Sequence, residues 1–337
     1  MKSSKKNSKV LVLKLGGQCN LKCKHCHCLN LSFKFNNDIF NYIDSENIKR
    51  ITFCGGEPLL YWNIIKMVIE RYKNTIDYKF VTNGTLLKKE MVDFCNRYNV
   101  HVFFSYDGEN ESRDNRYTPN WEYLSDLNKK GLAILYSYDN KDISKLLEDV
   151  RKLVNKYDLH ILHNTLSLNF PHTTNKNNYE KADRELAKEY CKIMCRFIEI
   201  EFMNYHYDRL NGENNIYKKY PVLSTLFDRF IRKHNIRGVK CFNENIVILN
   251  IEGKFMLCPY GEQYVGDIYT GIDWDKVESY IPDKCKNCSQ WESCMNTCIA
   301  NITDNECYIS KVMYKHFYKL MNKYNVTYDE LAEFIGR

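Results

Sequence analysis

Residues 10–26 read VLVLKLGGQCNLKCKHC. Val10–Leu15 is a short apolar run of the length and composition of a buried strand. Gly16 and Gly17 end it, and Cys19, Cys23 and Cys26 follow with the spacing C-x3-C-x2-C, crowded by His25, His27 and Cys28. Thiols grouped this way can pair as disulfides, ligate zinc or hold an iron–sulfur cluster.

Composition narrows the choice. The chain has 337 residues, 44% of them hydrophobic and 27% charged, with 15 cysteines and a formal charge of +7. That size accommodates one large α/β domain and a smaller one. The basic residues are scattered apart from MKSSKKNSK at residues 1–9, which reads as a solvated tail and not a nucleic-acid arm. Lys14 interrupts the apolar run after that tail and no small-residue cleavage site follows, so a signal peptide is not expected. No stretch reaches the roughly 18–20 apolar residues of a membrane helix. A cytoplasmic protein is expected, and reducing compartments keep thiols free, which argues against a disulfide framework.

Onward from the opening strand, apolar runs at 10–15, 50–54, 78–83, 100–107, 132–139 and 159–168 alternate with amphipathic segments such as 59–73 and 142–157. Strand–helix alternation implies βαβ units and a parallel sheet. The fold class read from this is α/β, a partial (β/α)6 TIM-like barrel followed by a small cysteine-rich domain and C-terminal helices. The expected boundaries are a basic tail over 1–9, the barrel with a helical extension over 10–234, the cysteine-rich domain over 235–310 and closing helices over 311–337. Residues 179–234 read as helical, and NIVILNIEGKFMLC (245–258) as a hairpin turning at Glu252-Gly253.

Zinc sites prefer four ligands, and a fourth beside Cys19, Cys23 and Cys26 must be sought among His25, His27 and Cys28. Three thiolates suit a cubane cluster that keeps one iron free of protein ligands. Spacing alone leaves both readings open. The second strand ends in FCGGEPLL, which puts Gly55, Gly56, Glu57 and Pro58 at the carboxyl edge of the sheet. Parallel α/β folds bind ligands at that edge. Two glycines admit a ligand close to the backbone, and Glu57 offers a carboxylate to an ammonium group.

Together, the three-cysteine loop and the GGEP strand resemble the radical S-adenosylmethionine (SAM) enzymes. The resemblance implies a 4Fe-4S cluster on Cys19, Cys23 and Cys26 whose fourth iron chelates SAM, and reductive cleavage of SAM to a 5′-deoxyadenosyl radical. It further implies that Gly55, Gly56, Glu57 and Pro58 meet the methionine amino group. Asn83 of TNGTLL (82–87), Ser105 of SYDG (105–108) and Arg116 of ESRDNR (111–116) become SAM-binding candidates, with Arg113 close by. A guanidinium is a suitable carboxylate partner.

A second cysteine set follows: Cys241, Gly253, Cys258, then Cys285-x2-Cys288-x5-Cys294-x3-Cys298, and Cys307. It resembles the SPASM domain found in many radical SAM enzymes. That resemblance implies two auxiliary 4Fe-4S clusters, one on Cys241, Cys258 and Cys298 and one on Cys285, Cys288, Cys294 and Cys307, three clusters in all. FNENIVI, directly after Cys241, lacks the extra cysteine that some relatives supply to the first of these. The remaining cysteines, Cys28, Cys54, Cys95, Cys191 and Cys195, read as buried apolar packing.

SPASM-type enzymes mostly modify peptides. The expected substrate is a ribosomally made precursor peptide, altered by a thioether or carbon–carbon crosslink, epimerisation or oxidation. The alternatives are formylglycine formation on a sulfatase and dehydrogenation of a small molecule. Sulfatase maturases place an aspartate base directly after the cysteine of the Gly-x4-Cys motif. Here that position is Pro259, which leaves Tyr260 and Glu262 as weak catalytic candidates. The first strand begins near residue 10 and leaves no room before it for a winged-helix leader-binding module. Recognition is therefore expected from a separate leader-binding protein, the basic tail or residues 171–234. Electrons are expected from a flavodoxin or ferredoxin.

Overall fold

The computed structural model describes residues 9–24, 26, 28–109, 113–134, 136–137, 142–161, 168–169, 184–212, 220, 223, 238–239, 242–289, 294 and 304–334. Strands are β1 (Lys9–Lys14), β2 (Ile48–Cys54), β3 (Asp77–Thr82), β4 (His101–Tyr106), β5 (Lys130–Ile134), β6 (Tyr136–Ser137), β7 (His160–Ile161), β8 (Leu168–Asn169), β9 (Gly238–Val239), β10 (Phe242–Asn243), β11 (Ile246–Asn250), β12 (Lys254–Met256), β13 (Tyr264–Asp267) and β14 (Gly271–Ile272). Helices are α1 (Asp38–Ser45), α2 (Trp62–Tyr72), α3 (Lys89–Arg97), α4 (Trp121–Asp126), α5 (Ile143–Tyr157), α6 (Arg184–Leu210), α7 (Trp274–Ser279), α8 (Asp283–Lys286), α9 (Asp304–Tyr324) and α10 (Tyr328–Phe334).

The chain forms two compact units. The first comprises residues 1–105, 113–131 and 236–281; the second comprises 106–112, 132–235 and 282–337. In the first unit the sheet runs in the order β14-β13-β12-β11-β1-β2-β3-β4. β1 to β4 are parallel, joined by α1, α2 and α3, so the alternation read from the sequence is the architecture. Along these strands Leu11, Leu13, Ile51, Phe53, Phe80, Val102 and Phe104 are buried to 1% exposure or less. The crossover helices cover that face with apolar stripes that include Ile39 and Ile43 of α1, Ile65, Val68 and Ile69 of α2, and Val92 and Cys95 of α3.

The hairpin forms as expected, β11 pairing antiparallel with β12 through Leu249 and Phe255. Its turn closes where the Gly253 amide donates to the Asn250 carbonyl at 3.0 Å, with Gly253 at φ +91°, a conformation that favours glycine. No local pattern announced that β11 would lie parallel to β1, Leu11 beside Val247 and Lys14 beside Asn250.

Several boundaries shift. Pro58 makes the stretch after β2 begin as a 3-10 turn over Pro58–Tyr61, so α2 starts at Trp62 and not at residue 59. Within the second unit, β6 and β8 pair in parallel as short two-residue strands, and the last long helix opens at Asp304, so Cys307 lies in its first turn. The helical stretch read at 224–234 lies outside the described residues. No helix among the described residues is long and apolar enough to cross a membrane.

Candidate functional site

The cysteine loop leaves β1 and packs against the end of β2. The Gly56 amide donates to the Gly16 carbonyl at 3.2 Å and the Glu57 amide to the Gln18 carbonyl at 2.8 Å. A Cβ on Gly56 would stand 2.1 Å from the Gln18 carbonyl oxygen. Glycine is required there because two backbones meet, one carrying the cysteines and the other the GGEP turn.

Each of the three loop thiols already receives an amide. Leu21 N–H donates to Cys19 Sγ at 3.4 Å, Asp114 N–H to Cys23 Sγ at 3.4 Å and Cys28 N–H to Cys26 Sγ at 3.5 Å. Such N–H···S bonds support sulfur that carries negative charge, and they surround thiolate ligands of iron–sulfur clusters. Burial pushes the Cys19 and Cys26 thiols up, and the amides act in the opposite direction. A metal or cluster held by these thiols would displace their protons. Among the described residues no three His, Cys, Asp or Glu side chains converge on a position for a single metal ion.

Glu57 is 1% exposed and its carboxylate faces inward. Oε1 accepts from Thr82 Oγ1 at 2.6 Å and from the Leu59 amide at 3.0 Å, and Oε2 accepts from the Asn83 amide at 2.8 Å. It thus ties the end of β2 to the end of β3. Pro58, at the first position of the 3-10 turn, is buried. Asn83 reaches the cysteine loop, its Nδ2 donating to Asn20 Oδ1 at 2.9 Å and to Cys19 Sγ at 3.8 Å.

Ser105 presents its carbonyl to Arg113 Nη2 at 3.3 Å and to Tyr117 Oη at 2.6 Å, and Arg113 stacks on the Tyr117 ring at 4.0 Å. Arg116 is held by Asp114 in a two-point pair, Nη2 to Oδ2 at 2.6 Å and Nε to Oδ1 at 3.0 Å, with its own charge near Cys19 and Cys23. Asp114 drew no attention in the sequence, yet its Oδ2 also accepts the Lys22 amide at 2.6 Å. The Arg116 guanidinium holds the Asp114 carboxyl well below the usual carboxylate range. Asp114→Ala is expected to speed tryptic cleavage after Lys22 and Lys24 on the order of tenfold, because a charge-assisted anchor of the loop is gone. Unchanged digestion would mean that other contacts hold the loop.

Three of the leftover cysteines, Cys28, Cys54 and the half-buried Cys195, depart from the expected apolar packing. Cys95 and Cys191 are buried, but Cys28 and Cys54 are only half-buried and border Lys14. Cys258 joins them from the hairpin side, and the half-exposed Tyr260 ring lies 5.6 Å from Lys14 Nζ. Glu262 sits beyond it, its carbonyl accepting the Tyr264 amide.

In the second unit Cys285, Cys288, Cys294 and Cys307 come together. Burial pushes the Cys285 thiol up first, and the neighbouring Cys307, Cys294 and Cys288 thiols add to it. The Cys288 amide donates to the Cys285 carbonyl at 3.1 Å, and Cys294 Sγ lies 3.5 Å from Ser310 Oγ on α9. His25, His27, Cys241 and Cys298 lie outside the described residues.

No family model matches the chain. The radical SAM cyclopropyl synthase TigE of Paramaledivibacter caminithermalis is 32% identical over 160 residues, 39% of this chain and 34% of that protein. The serine-type anaerobic sulfatase-maturating enzyme of Bacteroides thetaiotaomicron is 30% identical over 126 residues, 31% of this chain and 30% of that protein. The chain thus spans about a third of the length of these two curated relatives. Among solved structures, native anSMEcpe with bound AdoMet and the Cp18Cys peptide superposes with a TM-score of 0.59 at 17% identity, over 95% of this chain and 99% of that one. At that identity the likeness is one of fold.

Proposed function

We propose that the chain, 32% identical over 160 residues to a radical SAM cyclopropyl synthase, is a radical SAM enzyme that abstracts hydrogen from a peptide substrate to install a post-translational modification. The observation that carries this reading is the loop in which each of three thiols, Cys19, Cys23 and Cys26, accepts a backbone amide beside the GGEP turn. These three residues would hold a 4Fe-4S cluster, which when bound with SAM and reduced supplies a 5′-deoxyadenosyl radical.

The chain's own part is to hold and orient. Glu57 fixes the GGEP turn against Asn83, Asp114 pins the loop at Lys22 and Cys23, and Arg116 stands beside Cys19 and Cys23 as a cation for an anionic ligand group. Gly55, Gly56, Pro58 and Ser105 complete the proposed SAM surface. Cys285, Cys288, Cys294 and Cys307 would hold an auxiliary cluster, and Cys258 would serve another with Cys241 and Cys298. A peptide substrate is supported by a solved relative in fold that carries a peptide. A thioether or carbon–carbon crosslink, epimerisation or oxidation is the reaction class, with a precursor peptide as partner and a flavodoxin or ferredoxin as donor. Pro259 after Cys258 places no carboxylate at the position of a sulfatase-maturase base.

Anaerobically reconstituted protein should carry about twelve irons with matching sulfide, as three cubanes require, and should form 5′-deoxyadenosine when reduced with SAM present. Protein that takes up zinc without sulfide and forms no 5′-deoxyadenosine would overturn the reading.

A further inference from the structure

Lys14 is a lysine where a hydrophobic residue would ordinarily stand. It is 1% exposed, at the last position of β1, in register with Cys54 on β2 and Asn250 on β11. Register partners on parallel strands project to the same face, so these three form one row at the carboxyl edge of the sheet. It is the face opposite Leu11 and Leu13.

Burying an ammonium costs several kcal/mol unless an anion compensates it. Among the described residues no carboxylate pairs with Lys14. Its Nζ donates to Cys28 Sγ at 3.2 Å, and its nearest ring is Tyr260. A neutral thiol is a weak acceptor. The row is short of acceptors in a second way, since Asn250, 0% exposed, keeps its Nδ2 without a hydrogen-bond partner. Lys14 Nζ and Asn250 Nδ2 are thus two buried donors in one row with no anionic partner among the described residues.

The anion is identified by what Lys14 adjoins. Cys28, its hydrogen-bond partner, sends its own amide to Cys26 Sγ at 3.5 Å. We propose that Lys14 is the buried counter-cation of the iron–sulfur cluster on Cys19, Cys23 and Cys26, a positioning residue that raises the cluster's reduction potential through Cys28 and Cys26.

The inference rests on the cluster assignment above. Adding an electron makes the cluster more negative, so a fixed cation beside it stabilises the reduced form more than the oxidised one. Hydrogen bonding and local charge are among the levers by which proteins set such potentials. Removing the charge should make reduction harder, and keeping it with a different side chain should not.

The test is an EPR-monitored redox titration of the reconstituted full chain, reading the reduced-cluster signal that changes when SAM is added. In Lys14→Met the reduced-to-oxidised ratio at a fixed potential should fall about tenfold, a shift of about 59 mV to more negative potential for a one-electron couple. Lys14→Gln, which keeps a donor toward Cys28 and loses only the charge, should shift alike. Lys14→Arg should stay near the parent. Full iron content with an unmoved potential in Met and Gln variants would overturn the proposal, as would a shift confined to the SAM-insensitive signals. A parent protein that takes up no iron and sulfide would instead sink the functional reading, and this inference with it.

Discussion

Alanine at Cys19, Cys23 or Cys26, one at a time, is expected to cut reductive cleavage of SAM by on the order of 1000-fold, well beyond the roughly 10–100-fold typical of outer-shell partners of a metal site. The three thiols come from one loop and each is supported by a separate amide, from Leu21, Asp114 and Cys28. Losing one removes one of the three ligands of the proposed cluster. Cys28 is the nearest candidate to replace it, but its sulfur is engaged by Lys14 at 3.2 Å. Cys95→Ala is the control: the residue is 0% exposed within α3, so its loss affects packing and not the loop. The measurement is 5′-deoxyadenosine formed after chemical reduction of each variant. Cleavage at the parent rate in any of the three loop variants would refute the assignment of these residues as the reactive site.

Much of this was legible in the chain because the signals were local. Apolar runs with intervening amphipathic segments predicted β1 to β4 and the crossover helix α2, since a parallel sheet buried on both faces writes itself as short hydrophobic runs. The loop and the GGEP turn were legible as motifs because both lie at the carboxyl edge, where strand ends and ligands meet. The four thiols Cys285, Cys288, Cys294 and Cys307, assigned to one set by the resemblance to the SPASM domain, are neighbours in the second unit.

What the sequence concealed was non-local. That β11 would sit parallel beside β1 depends on pairing over more than 230 residues, Val10 with Ile246, and periodicity carries no record of a partner. Asp114 lies in ESRDNR beside the candidate Arg116, and only the fold brings it to Lys22 and Cys23. Lys14 read as an interruption in an apolar strand, evidence against a signal peptide. Its meaning emerges from Cys54 and Asn250 beside it in register. Glu57 was read as a ligand-facing carboxylate because its position in the motif says nothing about which way the side chain turns.

That inward turn makes Glu57→Ala the other change of large expected effect. The substitution leaves the Thr82 hydroxyl and the Leu59 and Asn83 amides without the acceptors they now have, at 2.6, 3.0 and 2.8 Å. A buried donor stripped of its partner costs about 1–3 kcal/mol, and Glu57 serves three, so the loss should be at least about 3 kcal/mol. Glu57→Gln should cost less, because its carbonyl can keep the two donors at Oε1 while its amide group opposes the Asn83 N–H. Urea unfolding of the cluster-free protein reads the difference as a fall in midpoint at constant slope. A coupling test isolates the bond itself. Thr82→Val should cost less in the Glu57→Ala background than in the parent, the remaining cost being the Gly84 amide that Thr82 Oγ1 accepts at 3.0 Å. Equal costs in both backgrounds, or an alanine variant within about 1 kcal/mol of the parent, would mean that the β2 and β3 ends are held by packing and not by this carboxylate. If the bond holds, SAM cleavage should fall with stability, since Asn83, which reaches Cys19 and Asn20, is placed by the same carboxylate.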